Sequence, residues 1–312
     1  KFRQSAKEGD YAKAIEMLNA GKERYPAFTS SEANIWMATA LSILFERASG
    51  RHELSNAQQY ASLFAALAEE VSEWRIVSEY QYASLARLEG RLEEAQGRFN
   101  KLIEDAKRKG SDTYQQAVPY YLQLAELHLD ADDPYNAFPL VMTCILSASK
   151  YHMHLLVHHA KVVLAETLLH LNDNKKAADI LKGVMPTILA HGDLQLRSMT
   201  LSVYAECLLT SAIGDVGLWP SVAPRVVRML ETAIQGFQKL GNLDGEFKAE
   251  TLLALYYWAA SEPERCQKHA ATCRGLHVRK QQRRRAPPIQ NVRQKLVEKE
   301  GVLHDLLANG EE

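Results

Sequence analysis

Apolar residues recur at spacings of three and four along almost the whole chain, the mark of helices that bury one face. Leu122, Ala125 and Leu129 show it, as do Val162, Ala165 and Leu169. No segment alternates apolar and polar over more than a few residues, and no hairpin signature joins two such runs. The pattern predicts an all-helical chain.

The helices repeat. Leu124-Ala125-Glu126-Leu127 returns as Leu164-Ala165-Glu166-Thr167 and again, at the same offset, as Tyr204-Ala205-Glu206-Cys207. A second series marks a partner helix. It runs Gly90 to Ala95 with Phe99, then Asn172 to Ala177 with Leu181, and Gly9-Asp10-Tyr11 with Ala14, Leu18 and Pro26. Two antiparallel helices need a tight reversal, which Gly9, Gly90 or Asn172 supplies. Their close crossing needs small residues. Ala125, Ala165 and Ala205 supply them on the first helix of a pair, and Ala14, Ala95 and Ala177 on the second. Larger side chains there would force the helices apart.

This pattern resembles the tetratricopeptide repeat, although its period is longer than the standard one. The resemblance implies helix pairs near 1–26, 31–70, 72–109, 113–150, 154–190, 193–240 and 244–275, stacked into a superhelix. The expected layout is an array over 1–276, a basic proline-containing linker over 277–288, and a capping helix over 289–312. Ile289, Val292, Leu296, Leu303, Leu306 and Leu307 approximate one stripe on that last helix. The stretch from Gly214 to Pro220 reads as a loop, and Trp219 within it as a candidate interface anchor.

Composition adds limits. Of the residues, 46% are hydrophobic. A further 24% are charged. That balance is globular rather than disordered. The net charge of -1 excludes a strong overall field toward nucleic acid or membrane. It conceals an asymmetry. His277 to Lys295 holds seven Lys and Arg and no acid, so the remainder is acidic. Arg283-Arg284-Arg285 is either a localisation signal or phosphate patch, or simply part of a basic linker. Cys144, Cys207, Cys266 and Cys273 form no CxxC and read as buried apolar residues in a reducing compartment.

Candidate chemistry is sparse. His152, His154, His158 and His159 cluster, and His154 with His158 has zinc-ligand spacing. No local cysteine or carboxylate completes a set, so they read as surface or core histidines. No phosphate-loop, dinucleotide or nucleophile-elbow motif occurs. The reading is therefore no enzyme, no metal, no cofactor and no small-molecule substrate. Glu126, Glu166 and Glu206 follow the small alanines and face the inner groove in this register. They form an acidic ladder for a basic or amide-rich peptide, or else each bonds to the next unit's helix or is merely solvated, the latter reading being preferred. The charged clamp that holds C-terminal carboxylates in some repeat proteins is absent.

Several stretches resemble one family in detail, the fifth subunit of the anaphase-promoting complex. They are Gln123 to His128 with Asp133 to Leu140, Ser147 to Tyr151, Met185 to Asp193, Lys22 to Pro26, and Leu44 to Ala48. Pro139 and Pro186 lie inside second helices. Proline there costs about 3 kcal/mol, so matches at these positions are not casual. The resemblance spans roughly 5–277 and implies the family's C-terminal repeat region. It implies a non-catalytic scaffold beside large subunit 1 and subunit 4 of a mitotic E3 ubiquitin ligase. It also implies a location in nucleus and cytoplasm. Two other readings remain open: a transient peptide-binding module, and the repeat domain of a signalling ATPase or transcription activator.

Overall fold

The computed structural model describes residues 30–71, 74–214 and 219–288. Ala14 and the rest of the first expected pair lie outside the described residues, as does the expected capping helix over 289–312.

Within the described residues the chain is all helix, in six antiparallel pairs. They are α1 (Ser30–Gly50) with α2 (Leu54–Glu70), and α3 (Arg75–Leu88) with α4 (Leu92–Lys109). Next come α5 (Ser111–Asp130) with α6 (Pro134–Lys150), and α7 (His154–His170) with α8 (Asn174–His191). The last are α9 (Leu194–Gly214) with α10 (Trp219–Leu240), and α11 (Leu243–Ala259) with α12 (Pro263–Arg285). Each helix packs chiefly on its chain neighbours, and successive first helices also touch. This is an α-solenoid.

The turns within pairs share one construction. His52, Gly90, Asp132, Asn172 and Ser261 all have positive φ, between 57° and 82°. The residue after each donates its N–H to a carbonyl five positions back, as Glu53 does to Ala48 and Asp133 to His128. A left-handed residue closing such a bond satisfies helix-end carbonyls and reverses the chain. Asp133 and Asp173 then cap the next helix, accepting from the backbone N–H of Asn136 and Lys176. His152 and Gly241 make the same closure between pairs.

Ala95, Ala125, Ala165, Ala177 and Ala205 are all fully buried at helix crossings. Their neighbours Phe99, Leu124, Leu181 and Tyr204 fill the adjoining space. Pro139 and Pro186 sit inside α6 and α8 on their exposed sides. There the carbonyl deprived of its N–H partner faces water, which makes the proline tolerable.

Two expectations change. Residues 277–285 are not a linker: α12 continues to Arg285, and only Ala286–Pro288 leaves the helix. Arg, Lys and Gln are good helix formers, so nothing ends the helix before Pro287. Trp219 opens α10 rather than sitting within a loop, with Pro220 in the first turn where proline needs no donor. Residues 215–218 of that expected loop lie outside the described residues.

The path of the array brings its ends together. The turn between α1 and α2 lies on the turn between α10 and α11. A β-carbon added at Gly241 would come within 3.0 Å of the Arg51 side chain. His52 Nε2 lies 2.6 Å from Asp244 Oδ2, and Lys280 donates to the other oxygen of that carboxylate. Arg284 donates to the Leu88 carbonyl at 2.6 Å. That contact places a cation at the C-terminus of α3, where the helix dipole favours it. The superhelix has thus completed one turn, with the first two pairs resting on the last.

Candidate interaction surface

The inner wall is made by the first helices of the pairs, and the repeat register brings Glu126, Glu166 and Glu206 onto it. None stands free. Arg87 of α3 reaches across to α5, 3.1 Å from Glu126 and 2.6 Å from Asp130. Gln123 also donates to Glu126, and His159 of α7 lies 3.7 Å away. Glu166 and Glu206 share one cation. Lys248 of α11 donates to Glu166 and lies 3.1 Å from Glu206.

The electrostatics follow from that geometry. Burial alone would raise the Glu166 carboxyl, but Lys248 beside it holds it below the ordinary value. Burial works against the charge of Lys248, yet the two glutamates raise its affinity for the proton. Arg87 is held charged in the same way, burial being outweighed by Glu126 and Asp130. Lys248 bridges α7 and α11, which are two pairs apart. The inner wall is therefore so tightly curved that one lysine spans it.

Next to this wall, Tyr80, Phe99 and Tyr120 form an aromatic cluster, with ring centroids 5.7–6.4 Å apart. Burial pushes the Tyr120 phenol up to about 12, so it stays neutral. Burial likewise pushes the Cys144 and Cys207 thiols up to about 12, so neither is a nucleophile near neutral pH.

The remaining sequence-derived residues separate. His152 is the left-handed residue of the turn before α7, and His154 opens that helix on the exposed side. His158 faces a half-buried environment, and burial lowers its proton affinity. Among the described residues no group of three His, Cys, Asp or Glu side chains is placed to hold a metal ion. Arg283, Arg284 and Arg285 are helical. Arg284 is committed to Leu88, Arg283 is half-buried, and Arg285 is exposed. No described helix is long and apolar enough to cross a membrane.

Arg87 and Lys248 are the residues that sequence reasoning missed. Their only signal is a cation on a first helix, and their partners lie one or two repeats away.

Fold and surface together define an α-solenoid of stacked antiparallel helix pairs. The chain matches no protein-family model and no curated protein. Among solved structures it is similar to the nearly identical TPR-like repeats of a putative kinesin light chain from Podosopora anserina, in a Q17M variant. That match has 14% identity and a TM-score of 0.45, and covers 67% of this chain and 97% of the other.

Proposed function

We propose that the chain is a non-catalytic scaffold of the anaphase-promoting complex, corresponding to the repeat region of its fifth subunit. One structural observation carries the scaffold reading: the inner wall is occupied by the chain's own ion pairs. A peptide receptor presents unpaired groups in its groove. Here a basic peptide would have to displace Lys248 from two carboxylates and Arg87 from two more. The groups are spent on fixing the curvature, which suits a rigid part of a larger assembly.

The outer surface supports the same reading. Tyr135, Phe138 and Leu146 lie exposed along one side of α6, with Tyr135 at 79% and Leu146 at 67%. Exposed large apolar side chains aligned on one helix suit contact with another protein. The choice of complex rests on the residue resemblance, above all Asp133-Pro134-Tyr135-Asn136-Ala137-Phe138-Pro139-Leu140. In that setting the partners are large subunit 1 and subunit 4. Ubiquitin transfer falls to other subunits, and the location is nucleus and cytoplasm.

The test is affinity purification of the full-length protein from mitotic cells, with mass spectrometry of what accompanies it. Co-recovery of a cullin, a RING protein and large subunit 1 is expected. Recovery of the chain without any of them overturns the assignment.

A further inference from the structure

One second helix departs from the others on the outer surface. From Pro134 to Ser149, α6 carries no Asp, Glu, Lys or Arg, whereas α4 carries nine and α8 four. Tyr135, Phe138, Met142 and Leu146 fall on one side of α6, at spacings of three, four and four. Three of them are exposed and Met142 is half-buried. The fully buried Ala95, Ala137 and Ala177 put the second helices in register. In that register α4 has Glu93, Gln96, Asn100 and Glu104 at the four positions. On α8, Lys175 and Lys182 stand in place of Tyr135 and Met142. The side that is polar in one adjoining pair and basic in the other is thus apolar here. Its flanks are charged. Successive second helices lie side by side on the outside of a stack, so α4 and α8 border the strip. On α4 the charges from Arg91 to Arg98 cancel, but Lys101 to Lys109 holds four cations and two acids. On α8, Lys175 to Lys182 holds three cations and one acid, and Lys150 ends α6 itself. The apolar strip therefore runs between two bands of net positive charge.

We propose that this strip seats one amphipathic helix of another protein, whose apolar stripe is bordered by Asp and Glu. The inference rests on the scaffold reading and names the chemistry of one of its contacts, whichever complex is served. Length sets the size of the partner segment. Tyr135 to Leu146 spans about 16 Å, or three turns of helix. A helix with apolar residues at spacings of three and four over that length lays its stripe along the strip. Acids on both its sides then meet the cation bands, which fixes its position and disfavours a basic partner. A second copy of this chain suits the strip less. It would set the same cation bands against each other. The exposed side chains also offer only on the order of 400 Å², about half of the ~800 Å² that each side of a standard interface buries.

The test is photo-cross-linking of the full-length protein in cells, with benzoylphenylalanine in place of Tyr135 or of Leu146, read by mass spectrometry of the joined peptides. Both positions are expected to reach one segment of another protein, apolar at spacings of three and four with Asp or Glu on either side. That segment, made as a peptide, should bind the unaltered whole chain roughly tenfold more tightly than it binds Lys101→Glu/Lys175→Glu at low salt, and the difference should shrink at high salt. Both lysines are exposed, so the circular dichroism of the variant should match the parent. Joining only to this chain's own peptides, from its ends or from a second copy, overturns the proposal. So does a segment rich in Lys and Arg, equal affinity for parent and variant, or no joined peptide at either position. Purification without cullin or RING protein overturns only the choice of complex, because the cross-links at Tyr135 and Leu146 are read whichever protein they reach.

Discussion

Replacing Lys248 with methionine removes one charge and leaves two carboxylates facing each other across the inner wall. Lys248 is 37% exposed, and Glu166 and Glu206 are 21% and 28% exposed. Removing one partner of a fully buried ion pair costs about 3–5 kcal/mol. Solvent screening at this exposure lowers the expected loss to about 2 kcal/mol at pH 7. The pH dependence has a definite sign. In the unaltered protein the Glu166 carboxyl is held below its ordinary value. Its contribution is therefore present above the unfolded carboxylate range and is lost as pH falls through the lower folded value. Without Lys248, burial raises that carboxyl. The variant then gains stability on acidification, as pH falls through the raised folded value. The deficit should therefore shrink between pH 7 and pH 4. Urea unfolding of both proteins at the two pH values measures it, with Glu166→Gln/Glu206→Gln in the variant background expected to restore most of the loss. A variant within about 0.5 kcal/mol of the parent at pH 7, or a deficit unchanged at pH 4, refutes the reasoning.

Four other perturbations follow from the same structure. Gly245→Ala would put a β-carbon 2.4 Å from the buried Phe237 ring. It should destabilise by about 1–3 kcal/mol although alanine is the better helix former, and thermal denaturation reads it. Ser261 is left-handed. A left-handed residue loses about 1–2 kcal/mol and glycine gives part of that back as entropy, so Ser261→Gly should raise stability by about 0.5–1 kcal/mol, read from the urea midpoint. Ala165→Leu, at a fully buried crossing, should cost about 1–3 kcal/mol and quicken amide exchange in both α7 and α8. Asp244→Ala should free the first pair from the last, and small-angle scattering should show a larger radius of gyration in the variant than in the parent.

Pair-level order was legible because it is local. The small residue at each crossing, the reversing residue and the three-to-four spacing all fall within one repeat, so Ala125, Ala165 and Ala205 announce themselves. The turns were only half legible. Gly90 and Asn172 advertise a left-handed conformation, whereas His52, His152 and Ser261 adopt it under the demand of the helix-end bond. The end of α12 was misjudged because three arginines before two prolines look like a linker, yet a helix continues through arginine until the first proline. That the inner glutamates could bond to a neighbouring unit was legible, but which cations they meet was not. Lys248 lies 82 positions from Glu166, and only the curvature of the stack makes them neighbours.

That curvature bears on how the molecule unfolds. In an open solenoid each unit touches only its neighbours, so stability is a sum of local terms and the ends fray independently. Two sets of contacts here break the rule. Lys248 ties pair four to pair six, and the contacts of His52 with Asp244 and of Arg284 with Leu88 tie the last pair to the first two. Separating the ends then exposes both at once, so the array should unfold with more cooperativity than its repeat count suggests. Arg284→Ala tests this directly. The residue lies near the end of α12, and its bond reaches the carbonyl of Leu88, 196 positions away. If closure couples the ends, the substitution should speed hydrogen exchange in α1 and α2 as well as in α12. If exchange quickens only near residue 284, the array behaves as an open chain of units and the closing contacts contribute no coupling.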